Sequence, residues 1–492
     1  MMLNKKTLTD PSPKKSKSLL LIITSIGFIA GIITIFTTQN SFGGGDSTQH
    51  FNLAYWGWEH PHLLFDHWGK PLFTILISPM AQFGMNGARI FNLIFGIATG
   101  IIIWRIAVEF KFKRALLSMF FVIFTPIYFI LIFTPLTEVL YSFFITLSIL
   151  LFFKKKYYLS AIILSFTPLI RNEGIVLIPV FLTAYLLKKK YLTIPLLSIG
   201  FLFISLLGYP IYKDFWWLIT QMPYMGDAGD IYGSGSILHF IGDTRGILGY
   251  PIGYLLPLGL IIIIHRWVKT EGLKLNDSFF FILLVVGSYI VFLSAHSYVW
   301  WKGIGNSLGL VRVMGSVTPL AALTAFIGFS FLIDQISRLN NKAAKFFTYG
   351  SLFWMFMLGI ATHQSGFNLS KQQQLITESS GFIINNDLAK DKIFYYDPFV
   401  PYSMGIDPYN INVCQLGVVN KMKPSLGMPD NSLLIWDSHF GPNEGRTPLN
   451  ILLSDKNLEL IETFTPPEPV IVLGGYNYEV KIFRKITDSS SK

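Results

Sequence analysis

The chain has 492 residues, of which 52% are hydrophobic and only 14% charged, with a mean hydropathy of +0.50. Soluble domains carry about 25% charged residues, so an ordinary soluble protein is excluded. The net charge of +11 would suit a nucleic-acid binder. Here, however, the lysines and arginines sit in short segments between apolar runs, where they orient membrane helices, and no nucleic-acid partner is expected. The single cysteine, Cys414, rules out an intrachain disulfide.

Residues 1–17 form a basic segment ahead of the first apolar run, 18–37. That run is too long for a signal peptide and lacks a small-x-small ending, so it reads as a membrane anchor. Further runs near the length needed to cross a bilayer, about 20 residues, follow along the chain. They predict eleven spans near 18–37, 87–108, 115–133, 136–153, 157–170, 174–187, 191–209, 250–265, 278–295, 313–333 and 346–363. Lys111/Lys113/Arg114, Lys154–Lys156, Lys188–Lys190, Arg266/Lys269/Lys274 and Arg338/Lys342/Lys345 fall on the same side as the N-terminal lysines. The positive-inside rule puts that side in the cytoplasm. An odd number of spans then sends the C-terminus outward. The expected architecture is an α-helical polytopic membrane domain, 18–363, followed by a small extracytoplasmic α/β domain, 364–492.

The first outward segment, 38–86, contains "QNSFGGGDSTQHFNLAYWGWEHPHLLFDHWGKPLF". Gly43–Gly45 allow a sharp bend where the first span ends. Asp46 follows at the membrane boundary. A carboxylate there suits a general base for an incoming hydroxyl or amine, or the N-cap of a helix starting at Ser47. Lys70 precedes Pro71. Its ammonium suits a phosphate at headgroup depth, or a snorkelling lysine. His50, Glu59, His60, His62, Asp66 and His67 offer the ligand types for a divalent ion, without an i, i+4 pair joined to a clear third ligand.

The fifth and sixth spans share only 31 residues, 157–187, between two lysine triplets. At about 1.5 Å per residue each arm reaches roughly 22 Å, short of a hydrocarbon core of about 30 Å. The turn "RNEG", Arg171–Gly174, should therefore lie recessed, and charges at that depth require protein or a watery cavity around them. The alternative is an Arg171–Glu173 pair that only closes a hairpin.

The outward loop 210–249 is long, aromatic and glycine-rich, and carries Asp227, Asp230 and Asp243. Phe215, Trp216 and Trp217 are expected in the interfacial aromatic belt. "HSYVWWKGIGNSLGLVR", His296–Arg312, brings Lys302 and Arg312 to the mouth of the tenth span. In the tail a helix is expected over 371–388, with strands near 392–396, 432–436, 458–464, 470–473 and 480–484. "WDSHFGPNEG" carries Asp437, His439 and Glu444. A solvated loop is the expected state of this stretch, with a metal site as the alternative.

The order "GGGDSTQH", "HWGKPLFTILISPMAQFGMNGARIFNLIFG", "TPLTEVLYSFFITLSILLF", "LIRNEG" and "WWKGIGNSLGLVRVMGSVTPLAAL" resembles the C-type (GT-C) membrane glycosyltransferases. The likeness spans roughly residues 18–335. It is nearest the branch of protein mannosyltransferases and the bacterial lipid A aminoarabinose transferase. The resemblance implies transfer of a sugar from a polyprenyl-phosphate donor to a lipid, glycan or protein acceptor, on the outer face of a cell (inner) membrane. It implies Asp46 as the catalytic carboxylate and Lys70 at the donor phosphate, with Arg171 and Arg312 as further phosphate contacts by position. His50, Glu59, His60, Glu138 and Glu173 are the supporting and acceptor-side candidates. A divalent metal is an open cofactor expectation. Many members carry two adjacent acidic residues at the first site, whereas here Ser47 follows Asp46.

Two other function classes share the gross architecture. A transporter would place its polar site at midplane and often between paired repeats, whereas here the polar clusters sit on one face and no repeat is seen. An O-antigen-type polymerase or ligase puts its large polar loop late in the chain, whereas the densest polar segment here is the first.

Overall fold

The computed structural model describes residues 13–40, 42–222, 233–270, 272–305 and 307–486. Asp227 and Asp230 lie outside the described residues. The chain divides into two compact units. One comprises the described part of Met1–Thr38 together with Phe65–Gln364; the other comprises Gln39–Leu64 together with Ser365 onward.

The first unit is helical. Among the described residues, seven helices are long and apolar enough to cross a membrane: Ser18–Thr37, Gly84–Glu109, Thr193–Tyr212, Tyr250–Lys269, Asp277–Lys302, Thr318–Leu339 and Asn341–Thr362. Shorter apolar helices cover Pro71–Ala81, Thr137–Phe153, Tyr157–Leu169 and Asn172–Leu187. Pro126 interrupts the third expected run, so that Leu117–Ile123 and Pro126–Leu131 form two short helices, as proline at a first helical position dictates.

Two devices hold these helices together. Gly259 and Gly328 bring Tyr250–His265 and Thr318–Leu339 into backbone contact. A Cβ on Gly259 would lie 1.9 Å from the Thr324 carbonyl oxygen, the close approach that small residues permit between membrane helices. The other device is Arg89, which is 1% exposed. Its Nη1 donates to the carbonyls of Ile35 (2.7 Å) and Thr38 (2.9 Å), and its Nε donates to the Phe133 carbonyl (3.0 Å). One guanidinium thus satisfies carbonyls at the end of the first helix and in the 131–134 turn, groups that have no water to turn to in lipid.

The second unit contains a five-stranded mixed sheet, β1 Ile393–Tyr395, β2 Cys414–Leu416, β3 Leu433–Asp437, β4 Leu458–Phe464 and β5 Val480–Lys485, in the order β2-β1-β3-β5-β4. β1 pairs parallel with β2 and β3, while β5 runs antiparallel to β3 and β4. Alternation sends Ile393, Tyr395, Leu433, Ile435, Val480 and Ile482 to one face under the helix Lys371–Asn385. Phe394, Tyr396, Leu434, Trp436 and Phe483 go to the other, against Leu452. β3 is buried along its whole length, as a central strand covered on both faces must be. Ser370 and Gln373 form a capping box on the 371–385 helix, which fixes its expected start.

Two expectations for this unit change. Residues 470–473 do not form a sheet strand; Ile471 makes one isolated bridge to Asn477, and Leu473–Gly475 turns tightly with Gly474 and Gly475 at positive φ. β2 went unpredicted, because three residues offer no period to read.

Residues 39–64 belong to this unit. Gln39 and Asn40 both donate backbone N–H groups to the Phe367 carbonyl (2.9 and 3.0 Å). The helix Gly45–Trp56 lies on the sheet domain through Asn52 Nδ2, which donates to the Pro398 carbonyl (3.3 Å). The edge-on contact of Phe51 with Tyr402 (5.6 Å) reinforces it.

Candidate functional site

Charged side chains far apart in sequence meet inside the helical unit. Pro168 ends the helix Tyr157–Ser165, and the chain turns through two 3-10 segments, Thr167–Leu169 and Asn172–Leu177. A Cβ on Gly174 would fall 2.7 Å from the Thr167 carbonyl carbon and 2.8 Å from the Pro168 nitrogen, so the turn closes only around glycine. Arg171 sits between the segments and is buried. Its Nη1 meets Glu138 Oε1 at 2.8 Å and donates to Thr137 Oγ1 at 2.8 Å. Its Nη2 meets Glu173 Oε1 at 3.0 Å. The Arg171–Glu173 pair is therefore one arm of a larger network rather than a closed hairpin pair.

Glu138 occupies the first turn of the helix Thr137–Phe153, where the helix dipole favours a carboxylate. Its Oε1 also lies 3.9 Å from Arg312 Nε. Arg312 arrives on the 3-10 turn Val311–Ser316, in which Gly315 lets the backbone press against Leu131 and the Glu138 Cβ. His296 completes the cluster, with Nε2 3.8 Å from Glu173 Oε1. Among the described residues, Arg171 Nε and Glu138 Oε2 are buried without a hydrogen-bond partner. Buried polar atoms of this kind call for an occupant or bound water.

Lys70 comes within electrostatic reach of Glu173 and Arg171. It precedes the helix Pro71–Ala81 with φ 64° and ψ 99°, a left-handed conformation that a lysine adopts at a cost of roughly 1–3 kcal/mol. The surroundings enforce it. Asp66 Oδ1 accepts from the Gly69 N–H (2.8 Å), Thr74 Oγ1 donates to the Gly69 carbonyl (2.8 Å), and Lys70 Nζ donates to the His67 carbonyl (3.1 Å). Lys70 lies outside the candidate membrane spans. Burial pulls its ammonium down to about 8, against the opposing pull of Glu173, while Arg171 lowers it further. His67 holds the neighbouring chain: its Nε2 bonds the Trp217 carbonyl (3.2 Å) and its ring meets the Trp217 indole at 4.9 Å.

Lys70, Glu138, Arg171, Glu173 and Arg312 thus come together in the helical unit, whereas Asp46, His50, Glu59 and His60 lie in the second. Asp46 is in the first turn of the helix Gly45–Trp56, whose cap residue is Gly44. It is therefore not an N-cap before Ser47; the glycines supply the positive φ at Gly43 and Gly44 that starts the helix two residues earlier. His50 is buried on that helix. The six residues first read as one ligand set separate. Asp66 and His67 build the Lys70 turn, while Glu59 and His60 meet Asp407.

Two aromatic and acidic expectations are also revised. Trp217 is fully buried, stacked on Tyr212 at 4.3 Å, so it is not an interfacial belt residue; Trp216 is exposed. Asp437 is buried rather than solvated. Its Oδ1 accepts from the N–H groups of His439 (2.9 Å) and Phe440 (2.7 Å), because the strand ends there and the turn needs an acceptor. His296 was missed as a site residue. The only signal was its place at the head of the aromatic segment 296–312.

No family model and no curated protein matches the sequence. Among solved structures, the chain is similar to ArnT from Cupriavidus metallidurans in the apo state, with a TM-score of 0.59 at 9% identity, covering 96% of this chain and 98% of that one. The fold is that of ArnT. ArnT bound to undecaprenyl phosphate matches with a TM-score of 0.55 at 9% identity over the same shares of both chains. The expected resemblance to this branch is thus met at the level of fold along nearly the whole chain, including the tail. The ArnT fold and the apolar helices together make this a multi-pass membrane architecture.

Proposed function

We propose that the chain is a membrane glycosyltransferase. It moves a sugar from a polyprenyl-phosphate donor to a lipid, glycan or protein acceptor on the outer face of the cell (inner) membrane, with inversion at the sugar carbon. The observation that carries the reading is the convergence of Arg171, Arg312 and Lys70 around Glu138 and Glu173. Cations brought together against their mutual repulsion make a receptor for an anion, and a departing phosphate is such an anion. The neighbour solved with undecaprenyl phosphate supports a polyprenyl-phosphate ligand. The placing of the basic segments on one side of the expected spans, which the positive-inside rule puts in the cytoplasm, supports the outer face for the other side.

In the reaction, the acceptor heteroatom attacks the sugar carbon as the carbon–oxygen bond to the phosphate breaks. The polyprenyl phosphate leaves with the bonding pair. Arg171, Arg312 and Lys70 stabilise its charge, and Glu138 and Glu173 hold the guanidiniums in place. Asp46 takes the acceptor proton, as a general base. His50, Glu59 and His60 support the Asp46 helix on the acceptor side.

The test is to incubate purified protein with a panel of radiolabelled polyprenyl-phosphate sugars, with and without chelator, in membranes supplying acceptors. Label should pass to an acceptor, or appear as hydrolysed sugar, and Asp46→Asn should abolish transfer in a folded protein. No release from any donor would overturn the reading. Full activity of Asp46→Asn would remove it as the base.

A further inference from the structure

We infer that Glu59, His60 and Asp407 form a divalent-metal site of the zinc class, which fastens the Asp46-bearing segment to the C-terminal domain. One ligand atom from each of the three lies within 4.8 Å of the others. His60 Nε2 and Asp407 Oδ2 are 2.7 Å apart across 347 positions of sequence. All three residues belong to the same compact unit.

The donor set is one imidazole and two carboxylates, the borderline-to-hard mixture that zinc accepts with bonds of about 2.0–2.2 Å. Tetrahedral ligands at that distance stand about 3.3 Å from one another. The His60–Asp407 contact needs to open slightly and the Glu59 carboxylate to swing inward. Glu59 is exposed, so its side chain is able to make that movement. Three protein ligands leave the fourth position to water.

The surroundings hold the ligands as a metal site requires. Asp407 Oδ1 accepts from the Tyr409 N–H at 2.9 Å, and the Cys414 thiol donates to the Asp407 carbonyl at 3.1 Å. Such contacts orient a carboxylate before the ion arrives. Glu59 and His60 both donate their backbone N–H to the Trp56 carbonyl (3.0 and 2.8 Å), which ends the helix Gly45–Trp56. A divalent ion would neutralise the paired carboxylates. It would also close a very long loop, for which cross-linking removes the most unfolded-state entropy.

The site does not take part in the transfer chemistry. It sits past the C-terminal end of the helix that carries Asp46 in its first turn. At about 1.5 Å per residue, twelve residues separate the two ends by roughly 18 Å. The ion positions the helix and does not touch reacting atoms.

The experiment uses the full chain without an affinity tag, in detergent, stripped with a chelator and titrated with Zn2+ against a chromophoric competitor. One Zn2+ should bind per chain and raise the unfolding temperature, by mass action on the folded state. Glu59→Gln, on an exposed side chain that does not threaten folding, should weaken binding at least about tenfold, the lower bound even for outer-shell partners. Asp407→Asn should do the same or more, and both should abolish the zinc-dependent rise. Absence of stoichiometric binding, or binding and stabilisation equal in wild type and Glu59→Gln, overturns the site and leaves a plain His60–Asp407 ion pair. The readout is independent of transferase activity.

Discussion

Glu138 joins two arginines that lie far apart in the chain: its Oε1 is 2.8 Å from Arg171 Nη1 and 3.9 Å from Arg312 Nε. Its other oxygen is buried without a hydrogen-bond partner. Removing the carboxylate takes from both guanidiniums the counter-charge they share at a buried position. Breaking a buried pair this way costs roughly 3–5 kcal/mol. Glu138→Gln should therefore lower the unfolding temperature of the purified protein markedly, with loss of transfer. Wild-type stability in this variant would show that the pairing contributes nothing to the fold.

Lys70 should act as a titrating phosphate contact. Its ammonium is held down to about 8, mainly by burial, so kcat/KM, which reports the free enzyme, should fall as pH rises through that value. Lys70→Met should weaken donor binding by on the order of ten- to a hundredfold, the worth of a charge-assisted hydrogen bond. Lys70→Arg, which stays charged, should flatten the alkaline fall. A fall of unchanged shape in Lys70→Arg would assign it to another group.

The hairpin around Arg171 depends on Gly174. A methyl there would press on backbone atoms of Thr167 and Pro168 at under 3 Å, and backbone has no rotamer to escape into. Gly174→Ala should destabilise by roughly 1–3 kcal/mol. It should also lower transfer more than an alanine in place of the exposed Ile175. Thermal unfolding and single-turnover transfer in the two variants would separate the effects.

The tail should lose stability as pH rises. Asp397 follows β1 by two residues and Asp437 ends the adjacent strand β3, and both are buried. Burial pushes both carboxyls well above the ordinary carboxylate range, and Asp397 adds to the effect at Asp437. A raised folded value means that the folded state holds the proton more tightly than the unfolded one. Stability is then fullest below the ordinary carboxylate range and declines as pH climbs toward the raised values. Asp437→Asn keeps an oxygen for the His439 and Phe440 N–H groups and carries no charge. It should flatten that decline in a pH series of denaturant unfolding. An unaltered slope would place the proton uptake elsewhere.

Much of the helical unit was legible because lipid leaves the backbone few choices. With no water to satisfy N–H and C=O groups, apolar runs become helices; the turn at Arg171–Gly174 followed from the shortness of the run 157–187, whereas the break at Pro126 lies inside the expected span 115–133. Lys70 and Arg171 were legible as charges set beside turns in an apolar chain. Trp217 was misjudged because composition does not distinguish a ring at the interface from one stacked on Tyr212. Asp437 was misjudged because a polar turn reads as solvated until its backbone partners are known.

By itself, the amino-acid sequence determined the class of protein, the order of its apolar segments, the α/β character of the tail and the identity of the unusual charges. These depend on hydropathy and on local φ/ψ preference, which each residue carries with it. Tertiary structure alone decided that Glu138 gathers Arg171 and Arg312 and that His296 joins them. It also decided that residues 39–64 fold with the tail, where His60 meets Asp407. Contacts across tens to hundreds of residues are set by how helices and sheet pack, and no local pattern encodes which buried charge will find which partner.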